Sequence, residues 1–388
     1  LALLSVVVPV AAVAVPPPAG AVTIVPGAIF NDPVGTTAEQ NRIRDYVVDL
    51  IDATVSGAEV RMSGYTITDS DVANALVSAK QRGVAVRVII DAENLALGSS
   101  QYATLSQGLG EDRSQPSWLL VCPVNRGCIA DRDLNNDGDK GINHNKFLLF
   151  SNINGAANVV VQTSANMTTP QRVRLFNNAV TLQDAGIYNS YQAYFDDQVA
   201  YGTAPVGVDH YYKTFTSGPY KTYFFPRREA AGTSYKNDPS TDTVKLILDN
   251  VSCAGGTQIR VAMYIFQRTH IAQKLVDLKK AGCSVYLASD ATDGGMDSAV
   301  TSIVYGKLSK RVECNEGSAG IGVHSKYLLV NGTYAGQAGR KVVFTGSHNY
   351  SWGALRANDE TLLKISSSSI YDQYKTNHDH LMSYCAGS

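Results

Sequence analysis

NRIRDYVVDLIDATVSGAEVRMSGYTITDSDVANALVSAKQRGVAVRVIID, residues 41–91, is echoed by DTVKLILDNVSCAGGTQIRVAMYIFQRTHIAQKLVDLKKAGCSVYLASD, residues 242–290. Both open with apolar residues at three-and-four spacing, Ile43, Val47 and Leu50, then Val244, Ile247 and Val251, which is the period of an amphipathic helix. A short strand is expected next, over 59–65 and over 258–266. A second helix runs to the Gly83 or Gly282 stop signal, and an apolar strand closes each copy on Asp91 or Asp290. Helix, strand, helix and strand, with strands too apolar to face water, point to a mostly parallel sheet covered on both faces. The chain is written twice, and the expected fold class is α/β with two similar lobes.

Each copy then adds a polar phrase. HNKFLLFSNINGAANVVVQTSANMT starts at His144 and HSKYLLVNGTYAGQAGRKVVFTGSHNYS at His324. Both begin His-x-Lys, cross an apolar strand and end on Ser-x-Asn: Ser164 and Asn166, then Ser347 and Asn349. Residues two apart on a strand share a face, so each histidine points the same way as its lysine. An imidazole near neutral pKa serves as nucleophile, base or acid. The lysine adds positive charge and Ser-x-Asn adds neutral donors, which together make an oxyanion clamp around a titratable group. Two such clamps on two similar lobes imply a pseudo-two-fold pocket between them. A phosphodiester suits it: one imidazole attacks phosphorus and the other protonates the departing alcohol. No metal or cofactor is needed for that chemistry.

The doubled His-x-Lys followed by Ser-x-Asn resembles the phospholipase D superfamily, through the repeat over essentially the whole chain after its first residues. The resemblance implies a two-lobed α/β architecture and a phosphohistidine intermediate. It implies His144 as nucleophile and His324 as general acid, with Lys146, Lys326, Ser164, Asn166, Ser347 and Asn349 around the phosphoryl oxygens. Two departures are visible. The Asp that ends the family motif is Ser151 in the first copy and Asn331 in the second. The family's downstream Glu is present as Glu360 in the second half, whereas the first half has Asn177. If Glu360 contacts His324, it holds that imidazole in its protonated, acid-ready form and leaves His144 neutral.

Bulk properties narrow the class. With 388 residues, 44% hydrophobic and 17% charged, the chain is globular and long enough for two domains. Net charge is −1, without the basic excess typical of a protein that lives on nucleic-acid backbones. Residues 1–21, an apolar run ending in Pro16-Pro17-Pro18 and Ala19-Gly20-Ala21, read as the tail of a secretory signal. The division is then 1–21 leader, 22–215 first lobe and 216–388 second lobe, with a secreted, extracellular location. Six cysteines fit an oxidising compartment. Cys122–Cys128 staples a loop, Cys253–Cys283 joins two strand starts, and Cys314–Cys385 follows by elimination.

Three further features carry competing readings. Asp133, Asn135 and Asp137 before Gly138 resemble the start of a calcium loop, but its twelfth position is His144 rather than Glu, so an acidic turn is the plainer reading. Tyr211, Tyr212, Tyr220, Tyr223, Phe224 and Phe225 suit inter-lobe packing better than a lipid-contacting lip, and Trp352 is expected at the pocket mouth. Asp91 and Asp290 either cap a turn or face the pocket. The function expected is a secreted, monomeric phosphodiesterase that hydrolyses or exchanges a phospholipid head group, with transient membrane-surface contact. A non-specific nuclease is the alternative, with Arg172, Arg174, Arg268 and Arg356 as its basic residues, and an inactive phosphate-binding relative is the third.

Overall fold

The computed structural model describes residues 23–290, 295–314 and 320–387; the expected leader lies outside them. The first lobe contains β1 (Gly27–Phe30), α1 (Thr37–Asp52), β2 (Glu59–Gly64), α2 (Ser70–Gln81), β3 (Ala85–Ile90), α3 (Glu93–Ala96), α4 (Tyr102–Leu109), β4 (Trp118–Val121), β5 (Lys146–Ile153), β6 (Ala156–Thr163), α5 (Thr169–Val173), β7 (Leu175–Phe176), β8 (Asn178–Gln183) and α6 (Ala185–Gly202). The second contains β9 (Lys213–Ser217), β10 (Tyr220–Phe225), α7 (Thr243–Asp249), β11 (Val251–Ser252), β12 (Gln258–Met263), α8 (Thr269–Lys280), β13 (Ser284–Asp290), α9 (Ser298–Val304), β14 (Lys310–Cys314), β15 (Gly322–Val323), β16 (Lys326–Tyr334), β17 (Gln337–Gly346), α10 (Trp352–Arg356), β18 (Glu360–Ile365) and α11 (Ser368–Tyr384).

The two-lobed α/β reading holds, with a sheet in each lobe of order β1-β8-β6-β5-β2-β3-β4 and β14-β13-β12-β16-β17-β18-β10-β9. The strand direction needs correction. β2, β3 and β4 are parallel, as are β12, β13 and β14, because α2 and α8 carry the chain back between them. β5 and β16 instead enter antiparallel beside β2 and β12, and two-residue turns fold them onto β6 and β17. Asn154 and Gly155 make the first of these turns with φ of 47° and 92°, the primed-turn geometry that Asn-Gly favours. The sheets are therefore mixed, not mostly parallel. β9 straddles the expected division at 215/216 and joins the second sheet.

Helices α6 and α11 lie between the sheets in one continuous apolar core that draws Tyr191, Phe195, Tyr371 and Tyr374 from the helices and Phe147, Tyr327 and Leu329 from the strands. Of the aromatic segment, Tyr211, Tyr220 and Phe224 pack into it, while Tyr212, Tyr223 and Phe225 pack into the second lobe's own core. Phe224 stacks on Tyr194 with centroids 4.3 Å apart, and Tyr211 lies 5.5 Å from Tyr194. Disulfides join Cys122 to Cys128, Cys253 to Cys283 and Cys314 to Cys385. The second sits beside the start of the β12–β13 parallel pair, where Gln258 is in register with Ser284.

Candidate active site

The two His-x-Lys phrases meet where the lobes cross. Val323, just before His324, pairs with Phe176 of the first lobe, and the His324 amide donates to the Phe176 carbonyl at 2.9 Å. The mirror contact links Asn143 to Asp359, and the His144 amide donates to the Asp359 carbonyl at 3.0 Å. Each histidine thus leans on backbone from the opposite lobe. Asp91 and Asp290 brace the preceding residues and do not enter the pocket as donors of chemistry. The Asp91 carboxylate accepts from the Asn143 amide at 2.7 Å, and that of Asp290 from the Val323 amide at 2.8 Å. The second contact requires Gly322, because a Cβ there would stand 2.0 Å from the Asp290 carboxylate.

Side chains continue the crossing. His144 Nδ1 lies 2.8 Å from Glu360 Oε1, and His324 Nδ1 lies 2.9 Å from Asn177 Oδ1. Glu360 therefore serves His144, which corrects the expectation that it serves His324. The cause is the strand exchange: β18 starts directly after Asp359, so the first side chain of that strand falls on the histidine whose amide Asp359 holds. Asn177 follows Phe176 in the same way.

Ser347 Oγ donates to Glu360 Oε2, and Ser164 Oγ donates to Asn177 Oδ1 at 2.9 Å. Both serines are fully buried, with amides bonded to the Thr361 and Asn178 carbonyls, and their hydroxyls hold Glu360 and Asn177 in place. Asn177 is fixed in orientation, since its Nδ2 donates to the Gln171 and Leu175 carbonyls. Its oxygen must face His324, which assigns the Nδ1 proton to that imidazole.

Lys146 Nζ donates to the His144 carbonyl at 2.9 Å and Lys326 Nζ to the His324 carbonyl at 2.7 Å. Tyr65 packs edge-on to His144 and Tyr264 tilts over His324, with centroids 5.3 and 4.5 Å away. Each tyrosine also faces its lysine, at 5.4 and 5.2 Å. These tyrosines were missed in the sequence, although both repeats print Tyr at the matched place. Asn349 is buried and its Oδ1 takes the Ile265 amide at 3.4 Å; Asn166 is half-buried with its Oδ1 unpartnered.

Burial dominates the electrostatics. It pushes both imidazoles well below their usual pKa, with the two lysines acting in the same direction. It brings Lys146 down to about 7 and pushes Glu360 up to about 8, the latter resisted by Lys146 and the Ser347 hydroxyl. His144 and Glu360 are hydrogen-bonded along this 2.8 Å contact. Burial also lowers Lys326, and a phosphate anion between the two lysines would favour their protonated forms.

Other expected residues take different places. Ser151 Oγ accepts from the Glu59 amide five residues along β5 from Lys146, about 16 Å by strand rise, so its substitution for Asp lies far from the phosphate cage. Arg268 is fully buried, with Nη1 2.9 Å from Asp242 Oδ1 and Nη2 3.0 Å from His348 Nε2. Arg356 donates to the Arg227 and Asp238 carbonyls, and Arg172 pairs with Asp69 at 3.2 Å. Of the four arginines considered for a nuclease, Arg174 alone is exposed. Trp352 packs beside Tyr235 and His270, 6.3 and 5.7 Å away. In the acidic turn, Asp133 accepts from the Asn135, Asn136 and Gly138 amides, and no cluster of three metal-ligating side chains occurs among the described residues. No helix among them is long and apolar enough to cross a membrane.

The sequence model of the family described as cardiolipin synthase, PLD-like domain, matches residues 47–199 and 247–382, one block per lobe. No curated protein matches the chain. Among solved structures, phosphatidylserine synthase of Haemophilus influenzae Rd KW20 aligns with TM-score 0.59 at 12% identity, covering 91% of this chain and 85% of that one. Polyphosphate kinase from Porphyromonas gingivalis aligns with TM-score 0.57 at 12% identity over 92% of this chain, which spans 50% of the kinase. These two likenesses concern the fold. Nuc from Salmonella typhimurium, a phospholipase D family member, is 21% identical with TM-score 0.31, covering 45% of this chain and 95% of its own. With both lobes matched by the family's sequence model, the chain belongs to the phospholipase D superfamily.

Proposed function

We propose that this chain is a secreted phosphodiesterase of the phospholipase D type, acting on a phospholipid head-group diester through a phosphohistidine on His144. The observation that carries the reading is the unequal pairing of two otherwise matched histidines, Glu360 on His144 and Asn177 on His324. When Glu360 is ionised, the form that Lys146 and Lys326 favour, it accepts the Nδ1–H of His144. That leaves the Nε2 lone pair for phosphorus, and the carboxylate offsets the positive charge that forms on the ring. His324, held by a neutral amide, keeps no such support for its cation and releases its proton more readily.

In the first step Nε2 of His144 bonds to phosphorus while the P–O bond to the head group breaks. The departing oxygen takes the proton of His324. In the second, neutral His324 accepts a proton from water or an alcohol, whose oxygen bonds to phosphorus as the P–N bond breaks. Lys146 and Lys326 neutralise the equatorial oxygens in both steps. The cardiolipin-synthase description of the matching family supports a phosphatidyl group as the unit transferred. Burial of Arg268 and Arg356 and the absence of net basic charge disfavour a nucleic-acid backbone. Three disulfides and the apolar residues 1–21 support export.

The test is intermediate trapping with choline, ethanolamine and glycerol phospholipids, bis(4-nitrophenyl) phosphate and DNA. Phosphohistidine is expected at His144 in the parent, and also in His324→Ala with the nitrophenyl diester, whose leaving group needs no acid. It is expected to be absent in His144→Ala, with turnover lowered by roughly four orders of magnitude or more. An adduct that persists in His144→Ala and vanishes in His324→Ala reverses the roles. Turnover of DNA above the phospholipids removes the lipid assignment.

A further inference from the structure

Away from the cage, the repeat offers an internal control for a second site. On the α6 face of the first sheet, Arg61, Arg87 and Trp118 stand side by side in register across β2, β3 and β4. The matched row on the α11 face of the second sheet is Arg260, Tyr286 and Lys310, across β12, β13 and β14. The two rows are finished differently.

In the first lobe the row is neutral and closed. Arg61 pairs with Glu59 and Asp196, and Arg87 lies 3.0 Å from the second oxygen of Glu59. Trp118 is buried against Phe195, with ring centroids 5.9 Å apart. In the second lobe Gln258 stands at the Glu59 position, so Arg260 Nη1 meets a neutral amide oxygen at 2.8 Å. Its nearest carboxylate, Asp379, is 3.7 Å away and is held more closely by Lys375. Exposed Lys310 replaces buried Trp118, and His378 stands at the Phe195 position. His378 donates its Nε2 proton to the Val261 carbonyl, and burial brings its pKa down to about 4, so it adds no charge at neutral pH.

The result is an open cleft of about 300 Å³ lined by Arg260, Tyr286, Lys310, His378, Asp379 and Met382. Its cationic side chains outnumber its one carboxylate. The Arg260 guanidinium lies over the Tyr286 ring at 5.0 Å and its Nη1 also donates to the Tyr371 hydroxyl at 3.4 Å, so neutral groups hold it in place. Where the first lobe supplies its own carboxylate to this arginine, the second lobe supplies none of equal closeness.

We propose that this cleft binds a small phosphate monoester, its phosphate between Arg260 and Lys310 and its organic part against Tyr286 and Met382. A planar guanidinium beside an ammonium is the donor set that recognises a tetrahedral oxyanion, and the volume exceeds what a bare phosphate fills. Arg260 lies three residues before Met263, the register partner of Lys326, so the cleft is about 10 Å along the strand from the catalytic cage and separate from it.

The test is calorimetric titration of the full chain with phenyl phosphate, and with inorganic phosphate to weigh the contribution of the organic part. The variants are Lys310→Glu, Arg260→Gln and His144→Ala, each checked by thermal melt. A binding event that survives His144→Ala and weakens by about tenfold or more in Lys310→Glu is expected. Turnover of bis(4-nitrophenyl) phosphate by Lys310→Glu should match the parent, which shows that the cage is intact. The proposal is overturned if every event seen is unaffected by Lys310→Glu and Arg260→Gln, or if none appears up to about 10 mM ligand.

Discussion

The two lobes share a frame, and they differ in what they place on their histidines. Seven strands follow the same order in both sheets, each histidine amide donates to a carbonyl of the opposite lobe, and each lysine returns to its own histidine's carbonyl. The matched positions after Phe176 and Asp359 then hold an amide in one lobe and a carboxylate in the other. The asymmetry comes down to one oxygen or nitrogen on a side chain that touches each imidazole.

Glu360→Gln should break the comparison most severely. A glutamine can present its amide N–H to Nδ1 and select the wrong tautomer, so kcat should fall by roughly three to four orders of magnitude while substrate binding changes little. Steady-state kinetics with a short-chain phospholipid would read this, and a fall confined to KM would contradict the positioning role. Asn177→Asp sharpens the comparison from the other side. A carboxylate on His324 favours its cation, which should move the alkaline limb of the pH–rate profile up by about one unit and lower the plateau several-fold. An unmoved limb would mean that His324 is not the proton donor.

The smallest effect expected is on stability. Glu360 is raised from 4.5 to about 8 in the folded chain by burial. Its favourable contribution is therefore fully present below about 4.5 and is lost as pH rises towards about 8, because the unfolded chain ionises first. Denaturant melts at pH 5 and pH 8 should show the parent losing more stability over that interval than Glu360→Gln. Equal losses would place the carboxyl proton elsewhere.

How much of this was legible depended on whether the signal was periodic or spatial. The repeated helices and the strands 59–65 and 258–266 were readable because three-and-four spacing and apolar runs are local. The direction of β5 and β16 was misread for a physical reason. Parallel strands need a crossover, but no helix occurs between Val121 and Lys146, and the Asn154-Gly155 turn allows only an antiparallel return. The His-x-Lys pairs were visible as motifs. The partner of Glu360 was not, since spacing along a chain does not say which lobe a side chain will face. Ser164 and Ser347 were assigned to substrate because hydroxyl donors suit phosphate, and it is their complete burial that gives them to Asn177 and Glu360.

The crossing also dictates when the enzyme can first work during its own synthesis. As the chain is made, His144 and its lysine emerge early, complete in sequence but with neither the Asp359 carbonyl nor the Glu360 carboxylate to hold them. A first lobe made alone therefore holds His144 without the two groups that fix it in the folded chain. The pairing is complete only when the start of β18 arrives, 216 residues after His144.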